Sequence, residues 1–546
     1  MFNTYKGLSA GLVIALLAAC GSNSGTSAVA TSTARGTLDE NPPLRIASLD
    51  AATFQAELGS TASGAQLLEL TGNPTCGVDF YYVKFWTVGG AGEVTESSGA
   101  LMVPTGAAPA CSGPRPIVLY AHGTDTDQAT NIADITNTSN TEGALIAATF
   151  AAQGFIVVAP NYAGYDISTL GYHPYLNAAQ NSDEMMDILA AARTALPNTM
   201  SSATSDSGKL LITGYSEGGY VAMATQRAIE AAGGTVTAAA PMSGPYALEA
   251  FGDDVFFGGV NLGSTVFSPL LTTSYQHAYG NIYTATTDVF SPQYATGIAT
   301  LLPSLKPIDT IFADGLLPET ALFDSVTPTV TIPGDAMLSL ELTGALAVPS
   351  PSSSLLAPLF DLGFGTSYLI NNDYRVSYAI NAASFIDGAG PLAPGGSPPT
   401  LAAIPAMIPS PTLAPAFYFR QALNTNDLRN PAWAPHSPTL LCGGDADPTV
   451  FFSVNTLTMQ SFWSSTLPPG ALTVLDINGT PSGAFAPLQA AFQESQAALF
   501  AFYESAAGGS LSAAAAQAQV VEQTHTAEAP FCSVAARSFF NEILGS

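Results

Sequence analysis

The sequence predicts an α/β protein whose mostly parallel sheet carries helices on both faces and accepts one large insertion. Short, continuous apolar runs alternate with helical segments between residues 116 and 241, as in sheets built from strand–helix–strand units. The same alternation resumes at Thr439, after a long stretch with few clear periods. With 546 residues, 47% of them hydrophobic, the chain is large enough to bury an extensive core.

The predicted elements follow one another in a regular order. Continuous apolar runs, or runs rich in aromatic and β-branched residues, mark the strands, and the segments between them read as helices. We predict strands at residues 80–88, 99–103, 116–120, 154–159, 209–213, 236–241, 439–442 and 471–477. We predict helices at residues 51–59, 142–153, 182–196, 217–232, 487–506 and 530–544.

Composition divides the chain into four parts. Residues 1–19 are expected to be a lipoprotein signal peptide, and residues 20–75 a tether and lead-in. Residues 76–246 and 436–546 are expected to form the sheet domain. Residues 247–435, rich in Pro, Leu, Phe, Thr and Ser, are expected to form an inserted cap whose apolar content favours an acyl pocket. A separate downstream domain is the alternative, but the return of the alternating pattern favours an insertion.

Charge excludes some classes of function. The chain has 13 Lys and Arg against 41 Asp and Glu, a formal net charge of −28. Such a surface repels phosphate backbones, so we expect no nucleic-acid partner. Attachment to anionic lipid through a polybasic patch is excluded for the same reason.

The N-terminus is typical of an exported bacterial protein. Lys6 precedes an apolar stretch at residues 7–19 that is too short to span a membrane. Cys20 ends this stretch in a pattern that resembles a lipobox, and a tether rich in Ser, Thr, Gly and Ala follows. We therefore expect lipidation at Cys20 and a lipid anchor in the outer membrane, since Gly21 rather than Asp follows the cysteine. An ordinary cleaved secretory signal is the alternative.

Four further cysteines suggest two disulfides, because exported proteins form them readily. Four cysteines allow three pairings. We favour Cys76–Cys111 and Cys442–Cys532, since each pair flanks a segment expected to be close in space. We expect no metal site, because no C-x-x-C motif or histidine cluster accompanies them.

The strongest chemical signal is Gly214-Tyr215-Ser216-Glu217-Gly218, which fits G-x-S-x-G. The motif directly follows a predicted buried strand and directly opens a predicted helix, as a nucleophile elbow requires. Such a turn holds the serine backbone in a strained conformation and projects its Oγ over the edge of the sheet. Ser216 is therefore the candidate nucleophile. An ordinary Gly-rich turn is the alternative.

A serine hydroxyl needs a base, and the base needs an orienting acid. The elbow resembles that of α/β-hydrolases, in which the acid follows the serine and the histidine follows the acid. This order implies Asp447 or Asp445, both at the end of a predicted strand. Asp447 is preferred, because the Pro-Thr-Val after it resembles the acid loop of that family, and Asp445 is the reserve. His525 is the one histidine downstream of Asp447, so the base follows by elimination; a surface-loop histidine is the alternative.

An oxyanion hole requires two aligned N–H donors. We expect them to be the backbone amides of Glu217, which follows the nucleophile, and of Thr124, which follows the strand at residues 116–120. The Glu217 side chain is expected to face solvent or to cap its helix. His122 is expected to be a structural loop residue. The side chains expected around the substrate pocket are Asp125, His173 and Tyr215.

Six motifs carry a family resemblance, and they cover residues 76–546 apart from much of the cap: His122-Gly123-Thr124, Ala159-Pro160-Asn161-Tyr162, His173-Pro174-Tyr175-Leu176, Gly214 to Gly219, Pro241-Met242-Ser243-Gly244 and Asp447-Pro448-Thr449-Val450. They resemble the α/β-hydrolase superfamily and, within it, secretory lipases and related bacterial serine esterases. The resemblance implies the α/β-hydrolase fold and a Ser-Asp-His triad that cleaves carboxylic esters, lipid-like or polyester substrates included, without a metal or organic cofactor. The 231 residues between Ser216 and Asp447 (447 − 216) are long for this family.

Three other functions remain open. A peptidase of the prolyl-oligopeptidase type usually carries an N-terminal propeller, which the 75 residues before Cys76 are too few to form. An acyltransferase would use the same triad and pass the acyl group to an alcohol. A non-catalytic surface lipoprotein would need no triad, so an intact Ser, Asp and His argue against it.

Overall fold

The centre of the structure is a mixed sheet built from the predicted apolar strands. The computed structural model describes residues 33–137, 140–332, 334–349, 356–384, 414–430, 432–506 and 512–545. In this part of the chain nine strands form the main sheet, in the order β1-β2-β3-β5-β4-β6-β7-β10-β11. They are β1 (Leu44–Leu49), β2 (Gly77–Val88), β3 (Val94–Thr105), β4 (Gly113–Ala121), β5 (Ile156–Pro160), β6 (Thr204–Tyr215), β7 (Ala238–Met242), β10 (Thr439–Gly443) and β11 (Leu472–Asp476).

The strands that are parallel to one another are β5, β4, β6, β7, β10 and β11. The pairs β1–β2, β2–β3 and β3–β5 are antiparallel. Parallel strands bury both faces, which explains their continuous apolar runs. In β4, Ile117 and Leu119 belong to one core cluster, while Val118 and Tyr120 belong to the cluster on the opposite face. The predicted α/β-hydrolase fold, with a mostly parallel sheet covered on both faces, is confirmed.

Helices cover both faces of the sheet. Helices α4 and α5 pack on one face, and α3 and α17 contribute to the core on the other. The helices outside the insertion are α1 (Ala51–Leu58), α2 (Ala62–Thr71), α3 (Thr141–Thr149), α4 (Ala178–Ala195), α5 (Glu217–Ala231), α14 (Thr456–Trp463), α15 (Ala486–Ala506), α16 (Ala513–Glu522) and α17 (Thr524–Leu544). No described helix has both the length and the apolar composition needed to cross a bilayer.

Several elements differ from the sequence prediction. Helices α2, α14 and α16 were not predicted. The residues expected to be a lead-in contribute β1, which pairs with β2, so the sheet begins before the predicted boundary at Cys76. The last helix, predicted from Pro530, starts at Thr524 and runs through that proline. Burial of its apolar face against the sheet outweighs the one backbone hydrogen bond that a proline removes.

A long insertion separates β7 from β10, although these two strands pair directly. It is mainly helical, with α6 (Leu248–Phe256), α7 (Ser264–Tyr279), α8 (Pro292–Ala295), α9 (Ile308–Ala313), α10 (Ala336–Ala345), α11 (Ala357–Phe360), α12 (Asn372–Ser384), α13 (Ala414–Asn426) and the short strand pair β8 (Phe323–Asp324) and β9 (Phe364–Gly365). Arg420 on α13 forms buried ion pairs with Glu249 and Asp253 on α6.

The structure contains two disulfides, Cys76–Cys111 and Cys442–Cys532, in the pairing favoured by the sequence. The second joins β10 to α17 and closes a sequence separation of 90 residues. The predicted signal peptide and the predicted lipidation site Cys20 lie outside the described residues.

Candidate active site

Ser216 lies at a sharp turn between β6 and α5. Its φ of 60° and ψ of −122° place it in a region that non-glycine residues rarely adopt. Two glycines allow the turn to pack this closely. A Cβ on Gly218 would lie 1.9 Å from the Ala121 carbonyl oxygen, and one on Gly219 would lie 2.2 Å from the Met242 carbonyl oxygen. The helix can therefore approach β4 and β7 only with glycine at these positions.

A continuous line of hydrogen bonds runs from Ser216 through His525 to Asp447. His525 Nε2 lies 2.9 Å from Ser216 Oγ, and His525 Nδ1 lies 2.7 Å from Asp447 Oδ2. Asp447 is 1% exposed, and its Oδ1 accepts hydrogen bonds from the backbone N–H groups of Thr449 and Val450 at 2.8 and 3.0 Å. Asp447 is thus held as an acceptor, so that Nδ1 donates to it and Nε2 is left to accept the Ser216 proton.

The sheet topology brings these distant residues together. Ser216 follows β6 and Asp447 follows β10, and both strands flank β7, so their carboxyl ends meet at one edge of the sheet. His525 is in the first turn of α17. Its placement on a helix differs from the loop that the sequence analysis allowed for, because α17 begins six residues earlier than predicted.

Asp445, the reserve candidate for the acid, has a different environment. It is exposed, and its backbone N–H donates to Asp476 Oδ1 at 3.1 Å. Burial, together with the charge of Asp445, raises the pKa of Asp476 to about 6. The structure thus connects His525 to Asp447, whereas Asp445 belongs to the outer side of this loop.

The two amides predicted to form the oxyanion hole belong to segments that adjoin Ser216: Glu217 follows it directly, and Thr124 lines the same cleft. The backbone N–H groups of Thr124 and Glu217 donate to no other described residue. Gly123, next to Thr124, is so near that a Cβ built on it would lie 3.7 Å from Ser216 Cβ. Its N–H donates to both carboxylate oxygens of Glu142 at 3.1 and 3.2 Å, and burial raises the pKa of Glu142. Glu142 thereby holds the loop that carries the Thr124 amide.

The Glu217 side chain was expected at the surface, but it is buried. Its Oε1 lies 2.6 Å from His173 Nε2, and His173 Nδ1 donates to the Ala163 carbonyl at 2.9 Å. Burial lowers the pKa of His173, but the charge and hydrogen bond of Glu217 outweigh burial and raise it above its ordinary value. The prediction that His173 lines the substrate pocket is therefore wrong. His173 instead bonds to the Glu217 side chain and fixes its position.

Three other predicted residues are placed as follows. Asp125 accepts hydrogen bonds from the Asp127 N–H and the Thr130 hydroxyl, so it shapes its own loop instead of lining the pocket. His122 is buried, and its Nδ1 bonds to the Gly123 carbonyl, which is a structural role. Tyr215 does line the cleft, and its hydroxyl donates to the His525 carbonyl.

A cleft of about 1720 Å³ opens over Ser216 and His525. Its apolar wall was expected to come from the cap. Among the described residues, however, residues 247–435 supply only Gly263, Val266 and Phe267 to the lining. Most of the remaining apolar lining comes from the N-terminal and C-terminal helices, including Phe54, Leu58, Leu67, Leu70, Leu499, Phe502 and Phe531. Strand β1, helix α3 and the loop at Ile135 supply the rest together with Tyr120 and Tyr215.

Sequence reasoning missed Glu528. This residue is 0% exposed and lies one helical turn after His525. Glu528 forms a cluster with Asp447 and His525, in which the potential metal-ligating atoms lie within 4.8 Å of one another. It is the one such set of three in the described part of the chain, and His525 and Asp447 already bond to each other. The H-x-x-E spacing is the signal that could have revealed Glu528. It places the two side chains on the same face only if the helix already begins before His525.

Comparison with known proteins supports this assignment of the fold. Residues 143–245, which include Ser216, match the model of the prolyl oligopeptidase family. No curated protein sequence matches the chain significantly. The rice cell wall degrading esterase LipA from Xanthomonas oryzae is 27% identical with a TM-score of 0.59, over 85% of this chain and 96% of that one. A ligand-bound form of that esterase is 26% identical with a TM-score of 0.58, over 81% of this chain and 91% of that one.

A putative hydrolase from Legionella pneumophila is similar in fold, with 18% identity and a TM-score of 0.57, over 93% of this chain and 98% of that one. The chain is therefore a hydrolase of the α/β-hydrolase fold. Within this class it resembles an esterase.

Proposed function

We propose that the protein is a serine esterase that cleaves carboxylic esters through Ser216, His525 and Asp447. The observation that carries this proposal is the unbroken hydrogen-bonded line from Asp447 Oδ2 through the imidazole to Ser216 Oγ, at distances of 2.7 and 2.9 Å. These distances are within the reach that proton transfer from a serine to its base requires. The strained backbone of Ser216 adds support, because strain of this kind is characteristic of functional turns.

The reaction follows from this geometry. His525 takes the Ser216 proton as Oγ attacks the ester carbonyl, and Asp447 stabilises the imidazolium that forms. The amides of Thr124 and Glu217 stabilise the oxyanion. His525 then gives its proton to the leaving alcohol. Water, activated by the same imidazole, attacks the acyl-enzyme to release the acid and regenerate the Ser216 hydroxyl.

The cleft indicates the substrate class. Apolar side chains of the N-terminal and C-terminal helices line most of it, and such a wall favours an aliphatic acyl chain over a charged or peptide group. We therefore propose lipid-like esters as substrates, and aliphatic polyesters as a further class. The similarity to an esterase named for degrading rice cell walls also supports an ester substrate.

A peptidase is the second candidate, because residues 143–245 match the prolyl oligopeptidase family. This match covers the elbow and its flanking strands, which both classes of enzyme share. A peptide p-nitroanilide tested beside the matching p-nitrophenyl ester separates them, and we expect hydrolysis of the ester. Transfer of the acyl group to an added alcohol would instead identify an acyltransferase.

We also propose that the protein is an exported lipoprotein attached to the outer membrane. This proposal rests on the lipobox-like sequence that ends at Cys20 and on the Ser- and Gly-rich tether after it. An anchored enzyme would act on esters at the cell envelope.

The deciding experiment replaces Ser216 with Ala. We expect p-nitrophenyl ester hydrolysis to fall by at least about 10⁴-fold, because the nucleophile is lost. A fluorophosphonate should label the wild-type protein and leave the Ser216→Ala variant unlabelled. Ser207→Ala, which changes an exposed serine near the start of β6, is the matched control and should retain full activity. Retained hydrolysis in a folded Ser216→Ala variant would contradict the proposal, and an unreactive wild-type protein would favour a non-catalytic binding role.

A further inference from the structure

Glu528 is a buried carboxyl group with too few donors to satisfy it. Its Oε1 accepts a hydrogen bond from the Ser243 hydroxyl and lies 3.1 Å from the Tyr215 hydroxyl. Tyr215 has a single hydroxyl proton, which it donates to the His525 carbonyl. The other oxygen, Oε2, has no hydrogen-bond partner, although Glu528 is 0% exposed. An ionised carboxylate in this position would be left with one donor.

The surrounding charges also oppose ionisation. Glu528 faces Asp447 from the loop after β10, His525 from its own helix and Tyr215 from the end of β6. The Asn478 side chain, which follows β11, and Glu528 Oε2 both lie close to Gly444. Of these groups only His525 can become positive, and Asp447 is already its partner. Two neighbouring carboxylates without a cation cannot both be charged in a buried site.

We propose that Glu528 is a protonated carboxylic acid whose proton is shared with the Asp447 carboxylate, so that Glu528 is a positioning residue of the catalytic triad. The Asp447 carboxylate has three hydrogen-bond partners, the Thr449 and Val450 amides and His525, and one of its oxygens lies within 4.8 Å of a Glu528 oxygen, so the shared proton adds a fourth. Its orientation toward His525 is fixed without a second negative charge. This inference rests on the proposed function, because it assigns a role within the same triad.

The titration of Glu528 agrees with this arrangement. Burial, and next the charge of Asp447, raise the pKa of Glu528 well above its ordinary value. A raised pKa keeps the proton on Glu528, and Asp447 remains the acceptor for His525.

Two substitutions test the proposal. Glu528→Gln keeps the shape, an oxygen that accepts from Ser243 and an N–H that donates to Asp447. Its kcat should remain within about threefold of the wild-type value, with an unchanged pH profile. Glu528→Leu removes the donor. Its kcat should fall about 30-fold with little change in KM, and the acid limb of kcat/KM should move up by about half a pH unit, because the Asp447 carboxylate then interacts more strongly with the imidazolium.

Infrared spectroscopy provides a readout that does not depend on activity or on the Leu variant folding. At pH 8, the difference spectrum between the wild-type protein and Glu528→Gln should contain the C=O band of one protonated carboxyl group. Absence of this band, or an equal kinetic defect in the Gln and Leu variants, would overturn the proposal. Glu230→Gln, which removes another buried carboxyl at the far end of α5, is the control and should leave the pH profile unchanged.

The proposed esterase function and the positioning role of Glu528 can be disproved separately. If the wild-type protein hydrolysed no ester, the proposed function would fall, and the infrared band would still decide the protonation of Glu528. If the wild-type protein hydrolysed esters and Glu528→Leu matched it in kcat and pH profile, the positioning role alone would fall.

Discussion

The two sides of Ser216 are built from different materials. On one side, the relay side, the side chains of His525, Asp447 and Glu528 form a buried cluster. On the other, the amide side, the backbone segments of Gly123 and Thr124 and of Glu217 adjoin Ser216. The activity of the relay side depends on the protonation of its side chains, whereas that of the amide side depends on the position of its backbone.

The two sides are also held in different ways. The relay side joins segments that are far apart in the sequence, and the Cys442–Cys532 disulfide links the strand of the acid to the helix of the base. The amide side is held by two acidic side chains, the half-buried Glu142 bonded to the Gly123 N–H and the buried Glu217 bonded to His173. We therefore expect changes on the relay side to alter the pH dependence, and changes on the amide side to lower kcat without altering it.

The largest effect is expected on the relay side from Asp447→Asn. The amide would favour the wrong imidazole tautomer and would not stabilise the imidazolium, so kcat should fall by about 10⁴-fold at neutral pH. Steady-state hydrolysis of a p-nitrophenyl ester measures this. Asp445→Asn is the control, since that side chain is exposed, and it should stay within about twofold. If Asp445→Asn gave the larger loss, the acid would be misassigned.

A smaller effect is expected on the amide side from Glu142→Ala. Loss of the carboxylate releases the Gly123 N–H and loosens the loop of Thr124, so kcat should fall about 30-fold while KM changes little. The pH profile of kcat/KM should keep its shape. Glu494→Ala removes an exposed carboxylate from the same cleft and is the control. A shifted pH profile in Glu142→Ala would contradict the distinction between the two sides.

The smallest effect on activity is expected from the disulfides. By loop-closure entropy, removing Cys442–Cys532 should cost about 5 kcal/mol of unfolding free energy, and removing Cys76–Cys111 about 4 kcal/mol. Only the Cys442→Ala/Cys532→Ala variant should also lose kcat, about fivefold at a temperature where it remains folded, because acid and base are less precisely aligned. Thermal unfolding and ester assays on both double variants measure this. Equal kcat in the two would show that the disulfide does not align the relay side.

The turn at Ser216 could be predicted largely from the sequence. The strand, the turn at Ser216 and the helix after it are contiguous, and the glycines at 218 and 219 meet β4 and β7, as this turn requires. The orientation of Glu217 could not be predicted, because its partner His173 comes from a loop 44 residues away. A charged residue at a helix start reads as exposed unless its buried partner is known.

The relay side could be predicted only in its outline. Chain order indicated Asp447 and His525, but it did not reveal Glu528, because Pro530 was read as the start of the last helix. The wall of the cleft was also assigned to the cap, whereas helices near both chain ends supply most of it.

By itself, the sequence determined the alternation of strands and helices, the elbow and the residue types available for catalysis, because these depend on patterns between near neighbours in the chain. The tertiary structure alone decided which carboxyl groups lie behind His525, which of them face another charge in the absence of water, and which helices enclose the cleft. These outcomes depend on packing between segments that are far apart in the chain, where burial sets the cost of each charge.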